Sequence, residues 1–545
     1  MRQLPVPRRV AVAITACALT VLAWPGVAAG QSWEELEARQ AILAGIEIVV
    51  TDVFDVAQPA DDTWIGRTAN ALHMQTRRGV VSRELLFAVG ERVDAGRIHE
   101  TERNLRRYAF IRDARVTPTR VSNESVWARV DVFDAWSITG AVNLRRAGGR
   151  STWSASLDEA NLFGRGKRVR VAYERNRERS THEVSYTDPQ VLASRWVASL
   201  AYAAFSDGAS RLALLERPYY SVEAPYAVGG AVSSTRYVLT QYHFGNPVLA
   251  IPSRTTSGRL FASRAFLTSD RTALRLGAAY QARQDDVDPA TVLGPGPFPI
   301  PDAFTRRLRG LSATVSLVQD RSSTFENFAS IGRTEDYNLG WLVAGSIGRF
   351  ARRLGSTTSA PFGAVSVSKG WRTAGRGLVF ASAAYAGRHE AGDWRESAAR
   401  VDVTVYNRRF SRQTLAANLQ VATVAGPDPG GWLYLDSAAG LRGYPDHFLA
   451  GDRRVVLSID DRIITDWQML GLVRVGFVVY ADAGTIRRFD TGRWSRTYAD
   501  VGAGLRFGSL KGGQRSVIQA SVAFPLLREA GMKRAVLVLG NAVRF

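Results

Sequence analysis

Leu311-Ser312-Ala313-Thr314-Val315-Ser316-Leu317 alternates apolar and small polar side chains without a break. Successive side chains of an extended strand point to opposite faces, so this stretch reads as a strand with one apolar and one polar face. The pattern recurs along the carboxyl-terminal three quarters of the chain. Val401, Val403 and Val405 alternate with Asp402, Thr404 and Tyr406, and Leu415, Ala417, Leu419 and Val421 alternate with Ala416, Asn418 and Gln420. Ala499, Val501, Ala503, Leu505 and Phe507 oppose Tyr498, Asp500, Gly502, Gly504 and Arg506. A water-soluble sandwich and a membrane barrel would both show this alternation. The number of such strands and the Trp, Tyr and Phe residues near their ends favour a barrel whose apolar face meets lipid.

The amino terminus agrees. Arg2, Arg8 and Arg9 precede an apolar run from Val10 to Leu22, and Val27-Ala28-Ala29-Gly30 offers a small-residue cleavage site, so residues 1–30 are expected to be a secretory signal peptide. The single cysteine, Cys17, falls inside it. Ile14-Thr15-Ala16-Cys17 can also be read as a lipid-attachment box, but the residues after it stay apolar, as in a signal core. Beyond this segment no apolar run reaches membrane-helix length, so a spanning role requires a closed barrel. Lys and Arg exceed Asp and Glu by 70 to 50, scattered along the whole chain. Nucleic-acid binding would cluster that charge on a recognisable module; a basic lumen or attraction to anionic lipid headgroups fits better.

Before Trp136 the periodicity is mixed. Ile46 to Val53 reads as a strand, Val81 to Ala88 as a helix ended by Gly90, and Asp94 caps a second helix running to Tyr108. Asp113 to Thr119 and Ser125 to Phe133 read as two further strands. Trp33 to Leu43 is predicted as a short helix, and Trp64 to Thr76 has no clear assignment. The chain thus divides into a signal (1–30), a small α+β domain (31–136) and a barrel (137–545).

Leu441-Arg442-Gly443-Tyr444 lies in a glycine-rich connection between two alternating strands. The strand after it places Ser458, Asp460 and Arg462 inward, and the next one places Val473, Val475, Phe477 and Val479 outward and Arg474, Tyr480 and Asp482 inward. Glu159-Ala160-Asn161-Leu162-Phe163-Gly164-Arg165-Gly166 is a glycine-rich hairpin near the barrel start, and Gly540-x-x-Val543-x-Phe545 closes the chain. Together these motifs resemble the BamA/TamA superfamily of outer-membrane barrels, which includes the transporters of two-partner secretion. The front segment, with Ile111-Arg112-Asp113-Ala114 and the junction Asp134-Ala135-Trp136-Ser137, resembles a single POTRA domain.

The resemblance implies an antiparallel transmembrane barrel of about 16 strands in the bacterial outer membrane, at about 25 residues per strand and connection, with the POTRA-like domain in the periplasm. It implies a loop folded into the lumen, with Arg442 paired to Asp482 or Asp460; Asp460-x-Arg462 stands where the family usually has Glu-x-Arg. Glu159, Asn161, Gly164 and Gly166 match the family's first hairpin. Gly540, Val543 and Phe545 match the terminal signal that assembly machines read.

No enzyme constellation, metal motif or cofactor motif is present in the sequence, and His73, His99, His182, His243, His389 and His447 are far apart. The expected function is insertion of outer-membrane proteins, with unfolded outer-membrane or secreted clients, lipid and accessory periplasmic proteins as partners. The seam between the first strand, near Ser137 to Leu144, and the last, Lys533 to Phe545, would open sideways. A secretion channel and a passive pore are the alternatives.

Overall fold

The computed structural model describes residues 31–54, 64–122, 124–147, 150–269, 271–373, 377–408, 410–511 and 517–541. The signal segment, Val543 and Phe545 lie outside the described residues.

Strands from Ile138–Ala147 to Val536–Asn541 close into one antiparallel barrel in which sequence neighbours are sheet neighbours. Among the described residues, twenty strands make its wall, and two short pieces, Thr291–Val292 and Leu433–Leu435, add to it. The expected sixteen is therefore corrected. Alternation fixes which face a residue takes but not how many strands there are, and tight connections leave room for more. Phe244-Gly245 alone joins the strands Tyr226–His243 and Asn246–Ser269.

The direction of burial separates a membrane barrel from a soluble sandwich. Ile347, Val142 and Leu260 point outward at 72%, 70% and 62% exposure, while the inward Asp460, Arg462, Asp482 and Asp500 are at most 1% exposed. Such a wall is stable where the outer solvent is hydrocarbon. A one-residue slip in any strand would turn its charges outward, so register is strongly specified. Trp371, Trp394, Trp467 and Tyr226 stand exposed at strand ends, as an aromatic girdle requires. Val475 is fully buried, although strand parity keeps it on the outward face with the exposed Phe477 and Val479.

The front segment is a three-stranded sheet in the order Ile42–Thr51, Ser125–Asp134, Ile111–Thr119, the first pair parallel and the second antiparallel. The helix Ala95–Arg106 packs on it through Ile98 and Leu105, and Asp94 accepts from the Arg97 amide at its start, as predicted. The helix expected at Val81 to Ala88 is instead the shorter Arg78–Ser82, because Glu84 to Phe87 bend away to bury Phe87. Trp64–Leu72, left open by the sequence, is helical. The amino-terminal helix spans Trp33–Ala38, and Leu43 belongs to the first strand.

Candidate functional site

Two chain segments fold into the lumen from opposite ends. From the end away from the front domain comes the connection between strands Gln413–Ala425 and Leu449–Met469, carrying the Arg442 tip. Leu441 and Tyr444 at the tip are fully buried, packed with Leu435, Phe448 and Tyr498. Asp436 organises the loop by accepting from the amides of Ala439 and His447.

Arg442 grips the wall as a fork. Its Nε and Nη2 donate to the two carboxylate oxygens of Asp482 at 2.7 Å each, and Nη2 also donates to Asp460 at 2.8 Å. The choice between the two acids resolves as both. Parallel bonds to one carboxylate are the geometry a guanidinium offers and an ammonium does not. The guanidinium also lies 3.6 Å from the Tyr480 ring centroid. Sequence reading missed a third acid, Asp500, which accepts from the Gly443 amide at 3.1 Å. A Cβ on Gly443 would sit 2.8 Å from the Asp500 Cβ, so only glycine fits there without a shift. Tyr444 donates its hydroxyl to the carbonyls of Ala499 and Leu527, pinning the tip to the strand Tyr498–Ser509 and to the loop after Val517–Pro525.

The second segment, residues 320–341, enters from the front-domain end and carries a small hairpin, Ser322–Glu326 with Thr334–Asn338. No sequence signal marked it. Phe328 packs among Leu378, Tyr406 and Ala416 of the wall, and Ile331 against Ile464 and Val517. Its turn carbonyls are taken by luminal arginines: Arg462 Nη1 donates to Phe328 and Arg506 Nη2 to Ala329. Glu335 is buried beneath, accepting from the amides of Ala329 and Ser330 and from the Ser330 and Tyr337 hydroxyls.

Asp460 joins the two segments. One carboxylate oxygen takes Arg442 and the other takes Arg462, at 2.8 and 2.9 Å. The Asp460-x-Arg462 pair is thus a link between two plugs rather than a simple anchor. The lower plug continues into the front domain, where Arg106 forks onto Asp336 at 2.9 and 3.0 Å and Arg103 pairs with Asp320. Segment 320–341 thus connects the two ends: Arg106 and Arg103 hold its acids, and Arg462, which shares Asp460 with Arg442, holds its Phe328 carbonyl.

The barrel-start hairpin is a docking piece. Asn161 donates to Thr76 at 2.9 Å and accepts from the Gly166 amide, while Glu159 accepts from the Asn161 amide and the Ser137 hydroxyl. Gly164 and Gly166 both have φ of 68°, and a Cβ at Gly164 would fall 2.4 Å from the Gln75 carbonyl oxygen. Gly540 lies in the last strand opposite Gln519. That strand starts at Val536, not Lys533, and neighbours Ile138–Ala147 across the seam.

The outer edge of Ile111–Thr119 is already occupied. Val116 donates its amide to Glu102 and accepts from Trp33 Nε1 at 2.8 Å, and Ala114 accepts from Arg106. The amino-terminal helix therefore belongs to the front-domain core and does not enter the lumen.

No protein-family model matches the chain, and no curated protein matches it. Among solved structures it is similar to BamA from Haemophilus ducreyi lacking POTRA domains 1-3, at 14% identity and a TM-score of 0.39, over 91% of this chain and 84% of that one. It is likewise similar to CdiB from Acinetobacter baumannii over 92% of this chain and 73% of that one, and to CdiB from Escherichia coli over 92% and 77%, each at 12% identity and a TM-score of 0.45.

Proposed function

We propose that this chain is an outer-membrane assembly factor of the BamA/TamA-like kind, acting on unfolded protein clients without covalent chemistry. The observation that carries the reading is the Arg442 tip held inside the lumen by Asp482 and Asp460. A tip motif anchored on luminal acids supports this reading. The front domain is taken as a periplasmic POTRA-like module and the Arg442 loop as extracellular.

The seam between Ile138–Ala147 and Val536–Asn541 supplies the activity. Parting these strands exposes two unpaired edges on which a client strand can template. Gly540 weakens pairing there, since it adds no side-chain packing and gains entropy when released. The two plugs keep the remaining wall rigid while the seam moves. On the front domain, strand addition is assigned to the middle of the Ile42–Thr51 edge, between Leu43, which pairs with Gly90 and Glu91, and Val50, whose carbonyl takes Gln75.

Locking the seam tests this reading. Cys17 is the only native cysteine, so a pair introduced across the seam is easy to read. Oxidation is expected to stop client insertion and reduction to restore it; full activity in the locked protein would refute the gate. Secretion through the lumen is the second reading, favoured by adjoining luminal cavities of about 540 and 610 Å³ beside the plugs. In that case the locked protein would still export its client, and an inventory of proteins lost on depletion would show secreted ones rather than barrels.

A further inference from the structure

The lumen is not uniformly charged. At the Arg442 plug, Arg442 and Arg462 are matched by Asp482 and Asp460. In the cavity near the far end, Arg283 and Arg388 are balanced by Glu396, with Arg306, Asp285 and Asp428 completing the cluster. The adjoining cavity of about 610 Å³ differs. Arg259, Arg275, Arg400 and Arg454 line it, among mostly small side chains with Tyr385 and Leu433, and among the described residues no carboxylate does.

Asp402 neutralises Arg400 through bonds of 2.6 and 2.7 Å. The other three lean on neutral groups. Arg454 donates to the Tyr434 carbonyl, Arg275 to the carbonyls of Ser221 and Val222, and Arg259 lies over the Phe261 ring. Arg275 is only 9% exposed, and its Nε, like that of Arg454, is buried without an acceptor. Burying a cation with no carboxylate in contact is costly, and a low-dielectric wall concentrates the resulting field. A guanidinium with a spare donor is satisfied by an oxyanion or halide. The small side chains leave the space for one.

We infer that this cavity is a site for small inorganic anions, and that ions crossing the barrel beside the plugs are selected for negative charge. Rings of arginine select anions in pores by this means. The inference stands whether the protein inserts clients or exports them.

The test is conductance of the full-length protein in planar bilayers of zwitterionic lipid under a KCl gradient. The expected reversal potential has the sign for chloride preference, and inorganic phosphate lowers the chloride current. Arg259→Ser combined with Arg454→Ser is expected to reduce the chloride-to-potassium permeability ratio several-fold and to abolish the phosphate effect. Arg259→Lys with Arg454→Lys keeps the charge and should keep the selectivity, which separates loss of charge from loss of fold. Cation preference would overturn the inference by routing ions past Glu216, two strands from Arg259, and Glu183 beyond it, whose chain neighbours Leu215 and Val184 face outward. Absence of current, or unchanged selectivity in the Ser variant, would overturn it as well.

Discussion

The two segments that fill the lumen are built by opposite means. The upper one, around Arg442, is held by a few residues of a short motif gripping acids on neighbouring strands. The lower one, residues 320–341, has no motif. Its apolar side chains fill gaps in the wall, and its backbone carbonyls are capped by Arg462 and Arg506, 134 and 177 residues further along the chain. The contrast shows two ways of placing irregular chain inside a barrel, where every buried polar group must find a partner. One grips the wall with its own guanidinium, and the other has its turn carbonyls capped by guanidiniums of the wall.

The largest expected effect comes from removing the charge that the upper segment brings. Arg442→Met leaves Asp482 and Asp460 buried with a missing partner, which should cost about 3 to 5 kcal/mol, less to the extent that water reaches the lumen. The readout is the temperature at which the folded barrel loses its distinct gel mobility in detergent. Arg442→Lys keeps a charge but loses the fork, and should fall between the variant and the native chain. Equal stability of all three would mean that the tip is not anchored by its arginine.

The lower segment should depend on apolar fit. Phe328→Ala empties a site that Leu378, Tyr406 and Ala416 enclose, at a cost of about 3 kcal/mol. Its coupling to the upper segment is measurable separately. Because Asp460 serves both arginines, Arg442→Met and Arg462→Met should be non-additive by about 0.5 to 3 kcal/mol in a double-mutant cycle. Strict additivity would break the link between the plugs.

These differences also explain what could be read in advance. Alternation in Leu311 to Leu317 or Val401 to Val405 is local, so the inward and outward faces of the wall were legible. Arg442, Asp460 and Asp482 were legible because motif and strand parity placed them together. Strand number was not, since it depends on closure of the whole sheet rather than on any window. Asp500 was marked inward but not as a partner, because a backbone amide at Gly443 leaves no trace in side-chain chemistry. Segment 320–341 was invisible for the same reason: its partners are carbonyls, and Phe325, Phe328 and Ile331 look like any loop hydrophobics.

Gly443→Ala is a smaller perturbation of the upper segment. The added methyl would sit 2.8 Å from the Asp500 Cβ, so the tip or Asp500 must shift, at about 1 to 3 kcal/mol. The loss should appear as weaker protection of the Tyr444 contacts with the Arg442 fork retained. A stable Ala variant would mean that the loop has slack at its tip.

The smallest effect lies in the front domain, where pH changes the attachment of the amino-terminal helix. His99 Nδ1 faces Glu102 at 3.3 Å and Nε2 faces Glu34 at 3.1 Å. The Glu102 hydrogen bond, joined by that to Glu34 and opposed by burial, raises the His99 pKa above its ordinary value. A raised folded-state pKa contributes stability that is fully present below the unfolded value and is lost as pH rises through the folded one. Hydrogen exchange in Trp33–Ala38, corrected for intrinsic rate, should therefore show less protection at about pH 9 than at about pH 6, on either side of the histidine range. His99→Gln should remove the difference. Loss of the helix would also free the Trp33 indole from the Val116 carbonyl, uncovering part of the Ile111–Thr119 edge that it blocks. If protection is unchanged with pH, the edge is held by Trp33 and Glu102 alone and is not under the control of His99.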